Sequence, residues 1–134
     1  MGLGPERQKV ITKTYEIKAP IAEVWKALTD PEYIEDWGGG PAKMAPEAGF
    51  EFSLWGGDIW GTNKVVEPEK KLIQDWYGGK WAKPSNVCFV LRAKDGKTFL
   101  DLTHQGVPAK EKADIDNGWD EFYLGPLKEY LEHI

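Results

Sequence analysis

The middle of the chain repeats one pattern that restricts its fold more than any other feature. Short runs in which apolar and polar residues alternate are separated by turn signals, and alternation of this kind is typical of half-buried β-strands. The turn signals are Gly56-Gly57-Asp58, Pro68 to Lys71 and Lys94-Asp95-Gly96-Lys97, and the last is a strong Asp-Gly hairpin signal. The predicted strands are "FEFSLW", "IWGTNKVVE", "LIQDWY", "NVCFVLRA" and "TFLDLTHQG". Successive hairpins predict one antiparallel sheet.

The N-terminal third of the chain predicts a further strand and two short helices. In "VITKTYEIK", Ile11, Tyr15 and Ile17 alternate with polar residues, so the sheet should contain six or seven strands. In "PIAEVWKALTD" the apolar residues recur at helical spacing, with Pro20 suited to the helix start. Asp30-Pro31 should end this helix, because the residue before a proline is pushed out of the α region. "PEYIEDW" is predicted to be the second helix.

The C-terminal segment predicts a long amphipathic helix that contains its own breaker. Its apolar stripe, which we expect to face the sheet, consists of Trp119, Phe122, Tyr123, Leu127, Tyr130 and Leu131. Asp116 or Asn117 could cap the helix start, where Asp120 and Glu121 would complement the helix dipole. Gly125-Pro126 lies within the stripe, and two interpretations remain open. The helix either kinks there, or it stops near Leu124 and a second helix begins at the proline.

This order of elements predicts an α+β fold. We expect a curved antiparallel sheet of six or seven strands, two short N-terminal helices, and a long C-terminal helix packed across the sheet. Residues 1–134 should form a single domain, because the chain is too short for two domains of ordinary size. Residues 1–9 are predicted to be a flexible tail.

The charge balance and the N-terminal sequence exclude several functions. A net charge of −5 supplies no basic face for nucleic acid. No run approaches the roughly 20 apolar residues that cross a bilayer, and the start has neither a signal-peptide core nor the Ser or Thr of a myristoylation signal, because Glu6 stands there. The single cysteine, Cys88, cannot form an internal disulfide and favours a reducing compartment. We expect a cytoplasmic protein without membrane insertion.

Catalytic and metal-binding motifs are not found in the sequence. It contains no HExxH, GxSxG, P-loop or paired CxxC pattern, and two histidines with one cysteine make a zinc site improbable. We therefore predict no catalytic residue, no metal and no cofactor. A cyclase-like or hydrolase-like activity using His104, Asp75 or Glu51 remains open. His104 lies on an apolar strand face, so it is either a hydrogen-bonded core residue or a group that orients a ligand.

Seven tryptophans spread along the chain suggest an internal cavity with aromatic walls. Tyr15 or His104 could supply the polar group that orients a ligand there. The residues predicted to line this cavity are Tyr15, Trp25, Trp37, Phe52, Trp76, Phe89, Leu102, His104, Trp119, Tyr123 and Leu127.

Several longer motifs resemble a known family. They are "VWKALTDPEYIEDW", "AGFEFSLWGGDIWGTNKVVEPEKKLIQDW", "THQGVP" and "NGWDEFYLGPLK". Together they resemble the C-terminal domain of the activator of the heat-shock protein 90 (Hsp90) ATPase, and the resemblance extends from about Val10 to Leu131. That family belongs to the helix-grip superfamily, which also includes the birch-pollen allergens, polyketide cyclases and START lipid carriers. The features most particular to the activator branch are Trp81, the strand end Gln105-Gly106-Val107-Pro108 and the pair Gly118-Trp119. Pro126 departs from the family's pattern.

The resemblance implies a helix-grip fold and a non-catalytic co-chaperone or stress-response binding protein. The implied partner is an Hsp90-type chaperone, and Trp55 and Trp81 are candidates for contacting it because they lie at a turn and in a loop. Eukaryotic activators carry a separate N-terminal domain, and only the segment 1–9 precedes the first predicted strand here. The alternative function is a carrier or sensor that holds a small hydrophobic ligand between the sheet and the last helix.

Overall fold

The computed structural model describes residues 9–134. Residues 1–8, which make up nearly all of the predicted tail, lie outside the described residues, and Lys9 is already the first residue of a strand. No helix in the described range is both long and apolar enough to cross a membrane.

Six strands form one antiparallel sheet, as predicted. The spatial order is β1-β6-β5-β4-β3-β2, so β1 and β2 are the edges. Consecutive strands from β2 to β6 are joined by short connections, and the first strand, β1, pairs with the last, β6. The strands are β1 (Lys9–Ile17), β2 (Glu51–Leu54), β3 (Ile59–Glu67), β4 (Lys71–Gly78), β5 (Ser85–Lys94) and β6 (Lys97–Val107).

The predicted hairpin turns have the backbone geometry that their residues favour. Asp95 and Gly96 both have positive φ, 54° and 79°, as a two-residue turn matched to the twist of the strands requires. Lys94 then pairs directly with Lys97. Between β2 and β3 the chain makes a single 3₁₀ turn at Trp55–Gly57.

The two N-terminal helices also form where the sequence predicts them. They are α1 (Ile21–Thr29) and α2 (Pro31–Trp37). Asp30 separates them, and its carboxylate accepts a hydrogen bond of 2.9 Å from the backbone N–H of Glu32, which caps α2. Gly38 ends α2 in the left-handed conformation, with φ of 106°.

The C-terminal helix consists of three consecutive segments. These are α3 (Lys112–Gly118), a π-helical segment (Trp119–Leu124) and α4 (Gly125–Glu132). Leu124 and Gly125 both have right-handed helical dihedrals, so the helix does not stop before Pro126. The alternative of two separate helices is therefore wrong.

The π segment explains how the helix continues past its proline. A proline in a regular helix clashes with the carbonyl four residues earlier and offers no N–H to bond. Here the N–H of Gly125 bonds to the carbonyl of Asp120, five residues back, which widens the turn ahead of Pro126. A Cβ at Gly125 would lie 2.1 Å from that same carbonyl oxygen. The wide turn therefore depends on glycine.

Two sequence predictions for this helix are wrong. Phe122 was expected to face the sheet, but its side chain is 60% exposed, because the wide π turn shifts the phase of the stripe that a regular helix would have. The helix also begins at Lys112, so Asp116 and Asn117 lie within it and do not cap it.

Trp119, Tyr123, Leu127 and Leu131 are buried against the sheet. The core lies between the sheet and the helices, and alternate residues of each strand point into it. On β4 these are Leu72, Gln74 and Trp76, and on β6 they include Leu100, Leu102 and His104.

Candidate functional site

Aromatic rings fill the space between the C-terminal helix and strands β4 to β6. Trp76 and Trp119 are stacked, with ring centroids 4.8 Å apart, and Tyr123 lies 4.7 Å from Trp37 and 4.8 Å from Trp119. These separations are those of direct ring contact. We call this group the aromatic cluster, and its members are Trp37, Trp55, Trp76, Phe89, His104, Trp119 and Tyr123.

His104 is fully buried at one end of the aromatic cluster and is hydrogen-bonded on both ring nitrogens. The indole Nε1 of Trp119 donates to its Nδ1 at 3.0 Å, and its Nε2 lies 2.7 Å from Ser85 Oγ. Ser85 Oγ in turn donates to the Trp76 carbonyl at 3.1 Å. His104 is thus buried and hydrogen-bonded on both ring nitrogens in the core.

These partners fix the proton on His104. An indole N–H can only donate, so Nδ1 must carry a lone pair and the proton of the neutral ring is on Nε2. That N–H donates to Ser85, whose own hydrogen is used by the Trp76 carbonyl. A histidine that activates a serine nucleophile must accept the hydroxyl proton, and this arrangement has the opposite polarity. Burial also lowers the pKa of His104 to about 4.

A second buried chain of polar groups holds Trp76, and no motif in the sequence indicates it. Trp76 Nε1 donates to Gln74 Oε1 at 2.8 Å, and Gln74 Nε2 donates to Asn63 Oδ1 at 2.9 Å. Asn63 Nδ2 then donates to the backbone carbonyl of Ala45 at 2.9 Å. Asn63 and Gln74 are fully buried, so each bond is protected from water. This chain holds the Trp76 ring through its indole N–H.

A surface depression opens where the aromatic cluster reaches solvent beside the C-terminal helix. It consists of a larger cleft of about 380 Å³ and a smaller one of about 180 Å³. Both are lined by Asp58, Ile59, Trp76 and Ile115, so we treat them as one feature and call it the trough. The larger cleft is also lined by Trp55, Asp114, Gly118, Trp119, Phe122 and Tyr123. The smaller cleft is also lined by Gly78, Gly79, Trp81, His104 and Glu111.

The residues predicted to line a cavity divide into two groups in the structure. Trp76, His104, Trp119 and Tyr123 line the trough. The other apolar candidates are buried in the core and do not line the trough: Trp25, Trp37, Phe52, Phe89, Leu102 and Leu127. Trp37 is fixed there by a hydrogen bond of 2.9 Å from its Nε1 to the Ala27 carbonyl.

Tyr15, the other candidate for an orienting polar group, lies outside the trough. Its hydroxyl bonds to Asp120 on the C-terminal helix. Lys13, two residues earlier on β1, donates to Asp116 and to Asp120, the latter at 2.9 Å. Burial and the bond to Asp120 raise the pKa of Tyr15. These contacts fasten the helix to the edge strand, so the Tyr15 hydroxyl already has a structural partner.

The two tryptophans predicted to contact a partner both lie at the trough, one in each cleft. Trp55 is half-buried, and its Nε1 donates to the Gly38 carbonyl at 2.9 Å. Trp81 is also half-buried, and its Nε1 donates to both carboxylate oxygens of Glu111 at 3.1 and 3.2 Å. Both rings are thus held in place while part of their surface stays accessible.

The aliphatic, acidic and glycine lining residues were not identified from the sequence. Ile59 begins β3 and Ile115 lies in α3, and neither stands out by composition or spacing. Phe122 was assigned to the opposite side of the helix, because the π segment has no sequence signature other than the following Gly-Pro. Among residues 9–134, no group of three or more His, Cys, Asp and Glu side chains is placed to hold a metal ion.

Comparison with known proteins assigns the chain to a family. A model described as "Activator of Hsp90 ATPase homolog 1-like protein" matches residues 18–132. The chain belongs to this family. The resemblance to the activators that the sequence motifs suggest is confirmed, and the domain is Hsp90 ATPase activator-like.

The chain corresponds to only part of its curated relatives. The human activator of 90 kDa heat shock protein ATPase homolog 1 is 24% identical over 123 residues, which cover 90% of this chain and 36% of the human protein. The chain thus spans about a third of the length of such relatives.

Solved structures of other proteins share the activator-like fold. An Hsp90 activator from Plasmodium falciparum matches with a TM-score of 0.82 at 24% identity, covering 91% of this chain and 95% of that one. DynU16, a putative protein in the dynemicin biosynthetic locus, matches with a TM-score of 0.79 at 27% identity, covering 92% of this chain and 47% of that one. The predicted helix-grip fold is confirmed.

Proposed function

We propose that this domain is a non-catalytic binding module that docks on an Hsp90-type chaperone through the trough. The observation that carries the proposal is Phe122, an aromatic side chain that is 60% exposed at the edge of a cleft lined by other rings. Exposed apolar surface beside a cleft is a common mark of a protein interface, and aromatic side chains often dominate binding energy. Family membership supports the choice of partner.

The hydrogen bonds of His104 support the non-catalytic part of the proposal. Ser85 and His104 are the nearest approach to a nucleophile and base among the trough and its floor, at 2.7 Å. Because His104 donates to Ser85, the pair stabilises the sheet and does not generate a nucleophile. The trough offers a surface for contact, and Ser85 and His104 at its floor are already hydrogen-bonded.

The test measures binding of a purified Hsp90-type chaperone, and its ATPase rate, with three variants. Phe122→Ser removes the exposed ring, and Gly118→Leu fills the larger cleft from a helix position where an added Cβ would meet nothing closer than Phe122 Cδ2, at 3.9 Å. Trp60→Ser is the matched control, because Trp60 is a 38% exposed ring stacked on Tyr77 outside the trough. We expect the first two variants to weaken binding at least about tenfold, as for a residue at the centre of an interface. Equal binding by all three variants, or none by the unmodified domain, would contradict the proposal.

A second candidate function is the binding of a small hydrophobic molecule in the larger cleft. Its volume of about 380 Å³ is within the range of small-molecule sites. The Tyr123 hydroxyl supports this candidate, because it is buried without a hydrogen-bond partner among the described residues and Tyr123 lines the cleft. Native mass spectrometry of the purified domain tests it. A co-purified molecule that is lost in Gly118→Leu would support it, and a bare protein mass in both proteins would count against it.

A further inference from the structure

The acidic residues of the trough differ in their ion pairs from two acidic residues of the C-terminal helix. Asp58, Glu111 and Asp114 line the trough, and within residues 9–134 none of them forms a salt bridge with a lysine, arginine or histidine. Asp116 and Asp120 of the C-terminal helix are both paired with Lys13. Within residues 9–134 the trough carboxylates thus have no cationic partner, whereas these two do.

The trough lining contains no positive charge to offset these carboxylates. Neither lysine nor arginine is among the residues that line either cleft. Asp58 and Asp114 are exposed, and Glu111 is half-buried with both oxygens bonded to the Trp81 indole. The whole chain carries a net charge of −5, which adds to the attraction of the trough for cations.

The apolar floor and the acidic rim require different groups from one occupant. Accessible ring surface on Phe122 and Trp55 can contact an apolar side chain, and can also attract a cation over its face. Arginine satisfies both demands at once, since its guanidinium stacks on aromatic rings and pairs with carboxylates. Lysine would supply the charge without the planar stacking surface.

We propose that the segment that occupies the trough carries arginine next to apolar side chains. The apolar side chains of the bound segment contact Ile59, Ile115 and the exposed rings of the trough. Its guanidinium groups pair with Asp58, Glu111 and Asp114. This inference rests on the proposed function, because it states the chemistry of the partner surface that the trough binds. Affinity should fall as salt screens the exposed carboxylates.

The test is calorimetric titration with two synthetic peptides that differ only in charge. One is a short acetylated amphipathic peptide of leucine, alanine and arginine, and the other has citrulline, a neutral isostere, at each arginine. The variant is the triple substitution Asp58→Asn, Glu111→Gln and Asp114→Asn. The control triple, Glu32→Gln, Glu51→Gln and Glu67→Gln, changes the net charge equally at exposed positions outside the trough.

We expect the arginine peptide to bind at least about tenfold more tightly than the citrulline peptide, in line with the pairing of charges across an interface. This preference should disappear in the trough triple and persist in the control triple. Equal affinity for the two peptides, equal weakening by the two triples, or binding of neither peptide would overturn the inference.

Titrating the chaperone with the same variants separates this inference from the proposed function. If chaperone binding depends on Phe122 and Gly118 but not on the three carboxylates, the proposed function stands and the inference fails. If the arginine peptide binds as expected and the chaperone does not, the trough has the stated chemistry and the proposed partner is wrong.

Discussion

Trp119 Nε1 donates a hydrogen bond of 3.0 Å to His104 Nδ1, and this bond joins the C-terminal helix to strand β6 of the sheet. Because both groups are buried, the bond exists only while His104 is neutral. A protonated His104 would place two N–H groups face to face. The contact that closes the floor of the trough is thus also the contact most sensitive to acid.

The first prediction concerns stability between pH 6.5 and 4. His104 has an ordinary pKa of 6.5 that burial lowers to about 4 in the folded protein. In this window His104 binds a proton in the unfolded chain but not in the folded chain. The contribution of neutral His104 to the free energy of unfolding is therefore complete above pH 6.5 and falls as the pH approaches 4. The full loss is about 3 kcal/mol. Urea denaturation at a series of pH values measures it.

The matched variant for this experiment is His104→Gln, which does not titrate. It should be less stable at neutral pH but should lose less free energy of unfolding between pH 6.5 and 4. Protonation of the paired carboxylates Asp116 and Asp120 affects stability only at lower pH. Hydrogen bonds from Lys13 and Tyr15 lower the pKa values of these two groups below 3.8. An identical pH slope in both proteins would show that His104 is accessible to protons in the folded state.

The second prediction is that Tyr123→Phe stabilises the domain. The Tyr123 hydroxyl is buried and has no hydrogen-bond partner among residues 9–134, and burial raises its pKa. Removing an unsatisfied buried polar group should raise the free energy of unfolding by about 1 kcal/mol. Thermal denaturation checks it, with Tyr123→Leu as a control that should lose several kcal/mol of packing. A destabilised Phe variant would mean that the hydroxyl has a partner in solution.

The third prediction concerns the ion pair between the edge strand and the C-terminal helix. Lys13 has a side chain that is only 14% exposed, and it contacts Asp116 and Asp120. A double-mutant cycle of Lys13→Met with Asp116→Asn should give a coupling of about 1 kcal/mol.

The control cycle uses Lys97 and Glu16, which are 41% and 43% exposed. Solvent screening should leave this pair a smaller coupling than the Lys13 pair. Equal coupling in the two cycles would show that burial of Lys13 does not strengthen its ion pairs.

The fourth prediction contrasts two glycines of the C-terminal helix. Gly118 has helical dihedrals, and the nearest atom to an added Cβ would be Phe122 Cδ2 at 3.9 Å. Gly118→Ala should therefore stabilise the helix by about 0.5–1 kcal/mol. Gly125→Ala should destabilise it, because its Cβ would overlap the Asp120 carbonyl. Chemical denaturation of both variants tests the pair, and stabilisation by both would contradict the π-helical hydrogen bond.

The sequence predicts the strands and turns well because their signals are local. Alternation sets which face of β4 is buried, and Asp95-Gly96 specifies its turn by the positive φ that both residues adopt. The position of Phe122 could not be predicted in the same way. Helical periodicity assumes a constant angle per residue, and a π segment changes that angle wherever tertiary packing demands a wider turn.

The candidate site could be predicted only in part for a related reason. The large rings of Trp76, Trp119 and Tyr123 predict an aromatic cluster. Whether such rings enclose a cavity or fill it depends on how they pack. The trough rim is assembled from the β2–β3 turn, the start of β3 and α3, which are far apart in sequence. Asp58 and Asp114 are therefore ordinary exposed acids in the sequence and neighbours only in the fold.

The central claim is that the trough is the binding surface of the domain, and NMR titration of the ¹⁵N-labelled domain with an Hsp90-type chaperone tests it most directly. The indole N–H of Trp55 and Trp81 and the amides of Ile59, Ile115 and Phe122 should shift or broaden first. The indole N–H signal of Trp60, on the outer face of the sheet, should stay unchanged throughout the titration. Perturbation centred on Trp60 and Tyr77, with the trough signals unchanged, would contradict the account.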